Sequence, residues 1–245
     1  MNNLQRGLIL LVFTALILFS TGCSAQQLMA LGDDGSGVVD VSIQLDQSFA
    51  GYLEDLTASL GGNDNGSGSL FDHDAVRAGF AAEAGLHLLE ISSPDQHTLN
   101  LRVRFDAIPA LVASRSDGLA RILSFDSTPG ERRLTIRLDR RAIEYVLGLT
   151  GIDPYISESL LPPEGDMTAP EYLEYLVWAL EEYQEERPIR EVIRQSSVES
   201  HITVAGTIRL ARGGRQNGAT ATFRTPLVEL LTTGEPVEYV LAFSR

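Results

Sequence analysis

The pattern of apolar and polar positions divides the chain at residue 23. Leu8 to Phe19, LILLVFTALILF, is apolar apart from one threonine. It is shorter than the roughly 20 residues a membrane span needs and has the length of the apolar region of a secretory signal peptide. Residues 24–37, SAQQLMALGDDGSG, show no sustained period and read as a tether. From Val38 onward the pattern is that of a folded domain. Val39, Val41, Ile43 and Leu45 alternate as in a half-buried strand, and Phe49, Tyr52, Leu53, Leu56 and Leu60 then recur at helical spacing. Asp72 stands as the N-cap of a helix from His73 to Ala84.

Leu86–Ser92 and Thr98–Phe105 read as strands around Ser93-Pro94-Asp95-Gln96. A short helical piece over Ala107–Ser114 follows. Leu119–Phe125 and Arg132–Leu138 form a second strand pair around Thr128-Pro129-Gly130, and Arg141–Leu149 is helical. Thr168 and Glu171 make a capping box, with Met167 and Tyr172 placed as a hydrophobic staple. That helix carries Leu173, Leu176, Val177 and Leu180 on one face, widened by Tyr172, Tyr175 and Trp178, which implies a core-packed stripe. Glu181, Glu182, Glu185 and Glu186 crowd its end and read as a solvated face. Ile189–Gln195 is a shorter helix. Val198–Leu210, Ala219–Thr225, Leu227–Leu231 and Val237–Phe243 complete the chain as strands. Neighbouring strands joined by short turns, with helices inserted, give an α+β fold with a mainly antiparallel sheet over 38–245.

The segment before the domain carries the one distinctive chemical signal. Small residues Ser20, Thr21 and Gly22 precede Cys23, the chain's single cysteine. A thiol can be alkylated by a diacylglycerol to a stable thioether, and small residues before it admit a membrane-embedded peptidase to the backbone. Ser20-Thr21-Gly22-Cys23 resembles the lipobox of bacterial lipoproteins, although those usually carry Leu, Val or Ile where Ser20 stands. The resemblance implies a lipoprotein signal peptide over 1–22, lipidation at Cys23 and a lipid-anchored tether over 23–37. It also implies palmitate on an exported cell-envelope protein, in the cell membrane or the outer membrane. Ser24, in place of the Asp that retains such proteins at an inner membrane, favours the outer one. An exported chain with one leftover cysteine fits this reading.

A second resemblance lies at the other end. ITVAGTIRLARGGRQNGATATFRTPLVELL followed by EPVEYVLAF is similar to the end of LppM-like envelope lipoproteins, with Ala205-Gly206 where Pro-Gly is usual. It implies a folded envelope domain and no catalytic residues.

Composition narrows the partners. The formal net charge is −14, and all 19 basic residues are arginine. Such a chain lacks the basic footprint that nucleic acid requires, and its body is repelled by anionic lipid. No HExxH, GxSxG, Walker or GxGxxG motif is present. His73, His87, His97 and His201 are scattered. Asn63-Asp64-Asn65-Gly66-Ser67 lacks the later Glu of a calcium loop, and Asp72-His73-Asp74 already has a structural role as a helix start. The expectation is a non-enzymatic binding or assembly role in the envelope, with no cofactor and no metal. Two alternatives stay open, a carrier of a small apolar or lipid ligand and an envelope hydrolase. The first would show a cavity lined by Leu and aromatic residues. The second would show polar groups converging in a cleft.

Overall fold

The computed structural model describes residues 23–59, 70–113, 117–152, 161–162, 167–185, 187–232 and 234–244. The signal peptide expected over 1–22 and the stretch Asn63–Ser67 lie outside these residues.

The strands are β1 (Ser24–Leu31), β2 (Gly37–Gln44), β3 (Leu86–Ser92), β4 (Thr98–Phe105), β5 (Leu123–Thr128), β6 (Glu131–Leu138), β7 (Ser197–Val204), β8 (Thr207–Arg212), β9 (Arg215–Asn217), β10 (Thr220–Pro226) and β11 (Val237–Ser244). The helices are α1 (Gln47–Ser59), α2 (His73–Ala82), α3 (Ile108–Ala113), α4 (Asp117–Ile122), α5 (Arg140–Leu149), α6 (Ala169–Leu180), α7 (Ile189–Gln195) and α8 (Leu227–Thr232). The fold is α+β. A seven-stranded sheet runs β3-β4-β2-β1-β7-β10-β9, and a four-stranded sheet runs β5-β6-β11-β8. Every described pairing is antiparallel except β1 with β7.

The tether expected over 23–37 is corrected by this topology, as is a domain starting at Val38. Ser24–Leu31 is an inner strand, paired with β2 on one side and β7 on the other. Met29 and Leu31 turn inward and are buried, while Leu28 just before them points to solvent at 55% exposure. Gln26, Gln27 and the outward Leu28 blur the alternation that would mark a strand. Only Gly32–Ser36 is a loop, and a tight one. Gly32 N–H donates to the Ser36 carbonyl at 2.7 Å, and the Asp34 carboxylate accepts from the Ser36 N–H and hydroxyl. Gly35 sits at φ 83°, which a side chain rarely adopts. Two hydrogen bonds from Ser36 hold the Asp34 carboxyl below its ordinary range.

The main core fills the space between the sheets. Met29, Ile202, Val204, Ala221 and Phe223 face Leu134, Ile136, Tyr239, Leu241 and Phe243 across it, with Ile108 and Leu111 of α3 and Leu119 and Ile122 of α4 closing one side. Burial of these side chains stabilises the fold by about 1.5–3 kcal/mol each. A second core places Val76 and Phe80 of α2 on Leu99, Leu101 and Val103 of β4. A third joins α1, α6 and α7 through Phe49, Tyr172, Leu176, Leu180, Ile189, Val192 and Ile193.

Other boundaries move for physical reasons. Leu119 and Ile122, expected in a strand, lie three apart on α4, and both point into the main core. Val198–Leu210 is two strands, because the chain bends at Ala205-Gly206 and passes from one sheet to the other. Leu227–Leu231 is helical, as α8. Trp178 is the clearest reversal. It is 71% exposed, since Tyr172, Leu176 and Leu180 at i, i+4, i+8 already fill the buried face of α6.

Candidate functional site

Cys23 sits where the seven-stranded sheet meets the helical end of the molecule. β1 starts one residue later, and Ser24 pairs with Gln44 of β2 and Ser197 of β7. Asp46 follows β2 and caps α1: its carboxylate accepts from the Ser48 N–H at 3.0 Å. The same residue donates its own N–H to the Cys23 Sγ at 3.3 Å, and the Ser196 hydroxyl also hydrogen-bonds the sulfur. Ser197 N–H donates to the Cys23 carbonyl at 3.2 Å. A second Asp46 oxygen pairs with Arg187 at 2.7 Å, tying the start of α1 to the segment before α7.

The thiol is buried, at 7% exposure, in the cluster with Phe49, Tyr172 and Leu176. Desolvation dominates and pushes its pKa up to about 12; the Asp46 N–H pulls the other way and the Asp46 carboxylate adds to the rise. In this state Cys23 is a packed, unreactive hydrophobe.

The histidines are not brought together. His73 Nε2 meets the Ser93 hydroxyl at 2.9 Å, His87 meets Asp106 at 3.3 Å, and His97 meets Glu54 at 3.7 Å. Among the described residues no three His, Cys, Asp or Glu side chains converge as metal ligands. Asp72 caps α2 as expected, accepting from the Asp74 and Ala75 N–H groups. Thr168 and Glu171 form the capping box of α6.

One arrangement was invisible to sequence spacing. On the outer face of the large sheet His201 lies between Thr222 and Glu199. Its Nδ1 is 3.1 Å from the Thr222 hydroxyl and its Nε2 is 2.9 Å from a Glu199 oxygen. Hydroxyl, imidazole and carboxylate thus lie in one line, which is the connectivity of nucleophilic catalysis. Glu199 and Thr222 stand on two strands, and only the β7–β10 register joins them. The line lies on an open sheet face. Thr222 pairs with His201 on one side and Arg215 of β9 on the other, so its strand is laddered on both edges. The His201 and Glu199 side chains are 31% and 27% exposed, so water reaches the line.

Two hollows indent the surface. One, of about 170 Å³, lies on the outer sheet face near Leu28, Asp40, Glu90 and Arg102. The other, of about 390 Å³, lies where α6 ends and is lined by Glu54, His97, Glu182, Tyr183 and Glu185 among others. Both are open, and polar side chains line much of each.

No protein-family model matches the chain, and no curated protein matches it. One solved structure is similar in fold. It is the folded domain of the Mycobacterium tuberculosis protein LppM, determined by NMR, at 10% sequence identity and a TM-score of 0.41. The superposition covers 91% of this chain and 89% of that one. No described helix is long and apolar enough to cross a membrane.

Proposed function

We propose that this chain is a lipid-anchored protein of the cell envelope that works by binding or assembly rather than by chemistry. The observation that carries the anchor is positional. The apolar run Leu8–Phe19 and the small residues Ser20, Thr21 and Gly22 lead into Cys23, and the folded domain begins one residue later. Export and lipid attachment therefore fall at the boundary where the domain starts. The buried thiol sets an order of events: the sulfur is alkylated while the precursor is unfolded at the membrane, before Phe49 and Tyr172 close over it.

The test is metabolic labelling with radioactive palmitate. Label is expected on the wild-type chain and absent from Cys23→Ala. Equal label on both would overturn the anchor. Native mass spectrometry of protein gently extracted from its own membranes tests the binding role. A stoichiometric second protein is the expected result, and a small-molecule adduct beyond the acyl group would point to the carrier instead.

The line through Glu199, His201 and Thr222 favours a second reading, hydrolysis of an ester with Thr222 as nucleophile. It requires turnover of an aryl ester that His201→Ala abolishes. Equal turnover in that variant and the wild type would remove it.

A further inference from the structure

We propose that the outer face of α6, together with the hollow at its end, docks an extended basic segment of another envelope protein, with Trp178 as the anchor. The proposal deepens the binding reading above and rests on it.

Trp178 is the chain's one tryptophan, and at 71% exposure it is the most exposed large apolar side chain among the described residues. Tyr175 lies against it, ring centroids 6.2 Å apart and tilted by 40°, and Tyr172 stacks on Tyr175 at 6.0 Å. This ladder runs from the buried Tyr172 to the open indole and holds the indole in place. Pre-ordered aromatic side chains of this kind are typical anchors at protein interfaces.

The surroundings decide what the anchor meets. With 3.6 residues per turn, Glu171 and Glu174 fall at i−7 and i−4 from Trp178 and share its face, and Glu181 and Glu182 follow in the 3₁₀ turn that ends the helix. All four are exposed. Glu174 is neutralised by Arg190, while Glu181 and Glu182 take no arginine partner among the described residues. About one turn beyond Trp178 the hollow opens, with Glu54, Glu182 and Glu185 on its walls and no arginine among its lining residues. The Tyr183 phenol on its wall donates to the Asp55 carboxylate at 3.0 Å, and that bond, followed by desolvation, raises its pKa to about 12.

An indole next to carboxylates suits a cation. Arg or Lys stacks on the ring face while the acids complement its charge. Anionic headgroups are repelled by the same carboxylates. The surface pairs an open indole with an acidic hollow past the end of the helix, which suits an occupant that presents basic groups along an extended chain.

The full chain, titrated with a fluorescently labelled peptide of alternating Arg and Ser, tests this. Trp178 reports binding by its own emission, and the peptide's anisotropy reports it independently. Saturable binding is expected, weakened about tenfold or more by Trp178→Ala and by the Glu54→Gln, Glu182→Gln, Glu185→Gln triple variant. Equal affinity in wild type and variants would mean diffuse attraction to an acidic protein and overturn the proposal. An emission blue shift on phosphatidylglycerol vesicles, with no peptide response, would overturn it in favour of a lipid surface. Native mass spectrometry separates the two levels. A partner retained by the Trp178→Ala chain refutes this surface and leaves the binding role standing. A wild-type chain without any partner refutes both.

Discussion

The folded, unlipidated domain should shield the Cys23 thiol from alkylation. Its sulfur is packed among Phe49, Tyr172 and Leu176, and its pKa rises from 9.0 to about 12. The thiolate is the reactive form. At pH 8 a thiol of pKa 9.0 is about one-tenth ionised, and one near 12 is ionised to about one part in 10⁴, so ionisation alone slows the reaction about a thousandfold. Burial adds to this, because maleimide reaches the sulfur only after the α1, α6 and α7 cluster opens. Pulse labelling with maleimide, read by intact mass in native buffer and in guanidinium, measures the ratio. A native rate within tenfold of the unfolded one would refute the packing of Cys23. The same shift links pH to stability. The folded pKa lies above the unfolded one, so this contribution is whole below about pH 9 and is lost as pH rises toward 12. Roughly 1 kcal/mol should disappear between pH 8 and 10. Cys23→Ala and the lipidated chain, which carry no titrating thiol, should lack that loss.

Three stability measurements by chemical denaturation probe the rest of the frame. Gly37→Ala should cost several kcal/mol or prevent folding, because a Cβ there would lie 2.2 Å from the Ala30 carbonyl oxygen and 2.6 Å from the Phe105 ring; a loss under about 0.5 kcal/mol would contradict the β1–β2–β4 register. Thr168→Ala should cost about 1 kcal/mol, since Thr168 and Glu171 satisfy each other's backbone N–H at the start of α6; no change in the midpoint would refute that cap. Arg187→Ala should cost about 1–3 kcal/mol, because it strands an Asp46 carboxylate that is only 12% exposed; equal stability would show the tie between α1 and α7 to be idle.

Elements whose own residues carry a period were legible in the chain. β3, β4 and α7 stand at the expected residues, and Asp72 and Thr168 cap α2 and α6 as read. The failures share a cause, which is that the deciding interaction lies far away in sequence. β1 is a strand because β2 and β7 hold both of its edges, although its own alternation is broken by two glutamines and an outward leucine. α4 has the apolar content of a strand, and its helical form is decided by burying Leu119 and Ile122 against the second sheet. Trp178 belongs by spacing to the aromatic stripe expected in the core, and geometry turns it out, because a twelve-residue helix packed on one side has room for only one buried row. The same holds for function. Cys23 is recognisable from its neighbours in the chain, whereas Glu199, His201 and Thr222 meet only through strand register.

The absence of a tether changes what a lipid on Cys23 would do. A flexible spacer would let the domain tumble above the membrane, whereas Cys23 directly adjoins Ser24, the first residue of β1, about 3.8 Å away between Cα atoms. The end of the sheet where β1 and β7 begin and β2 and β10 finish is then held within a Debye length, about 8 Å, of the headgroups. A body of charge −14 in that position is pushed away by anionic lipid while its anchor pulls it down. Cys23 shares its cluster with Tyr172 and Leu176, so a lipid there would hold α6 beside the anchor, and the carboxylates of that helix would oppose close approach to anionic headgroups.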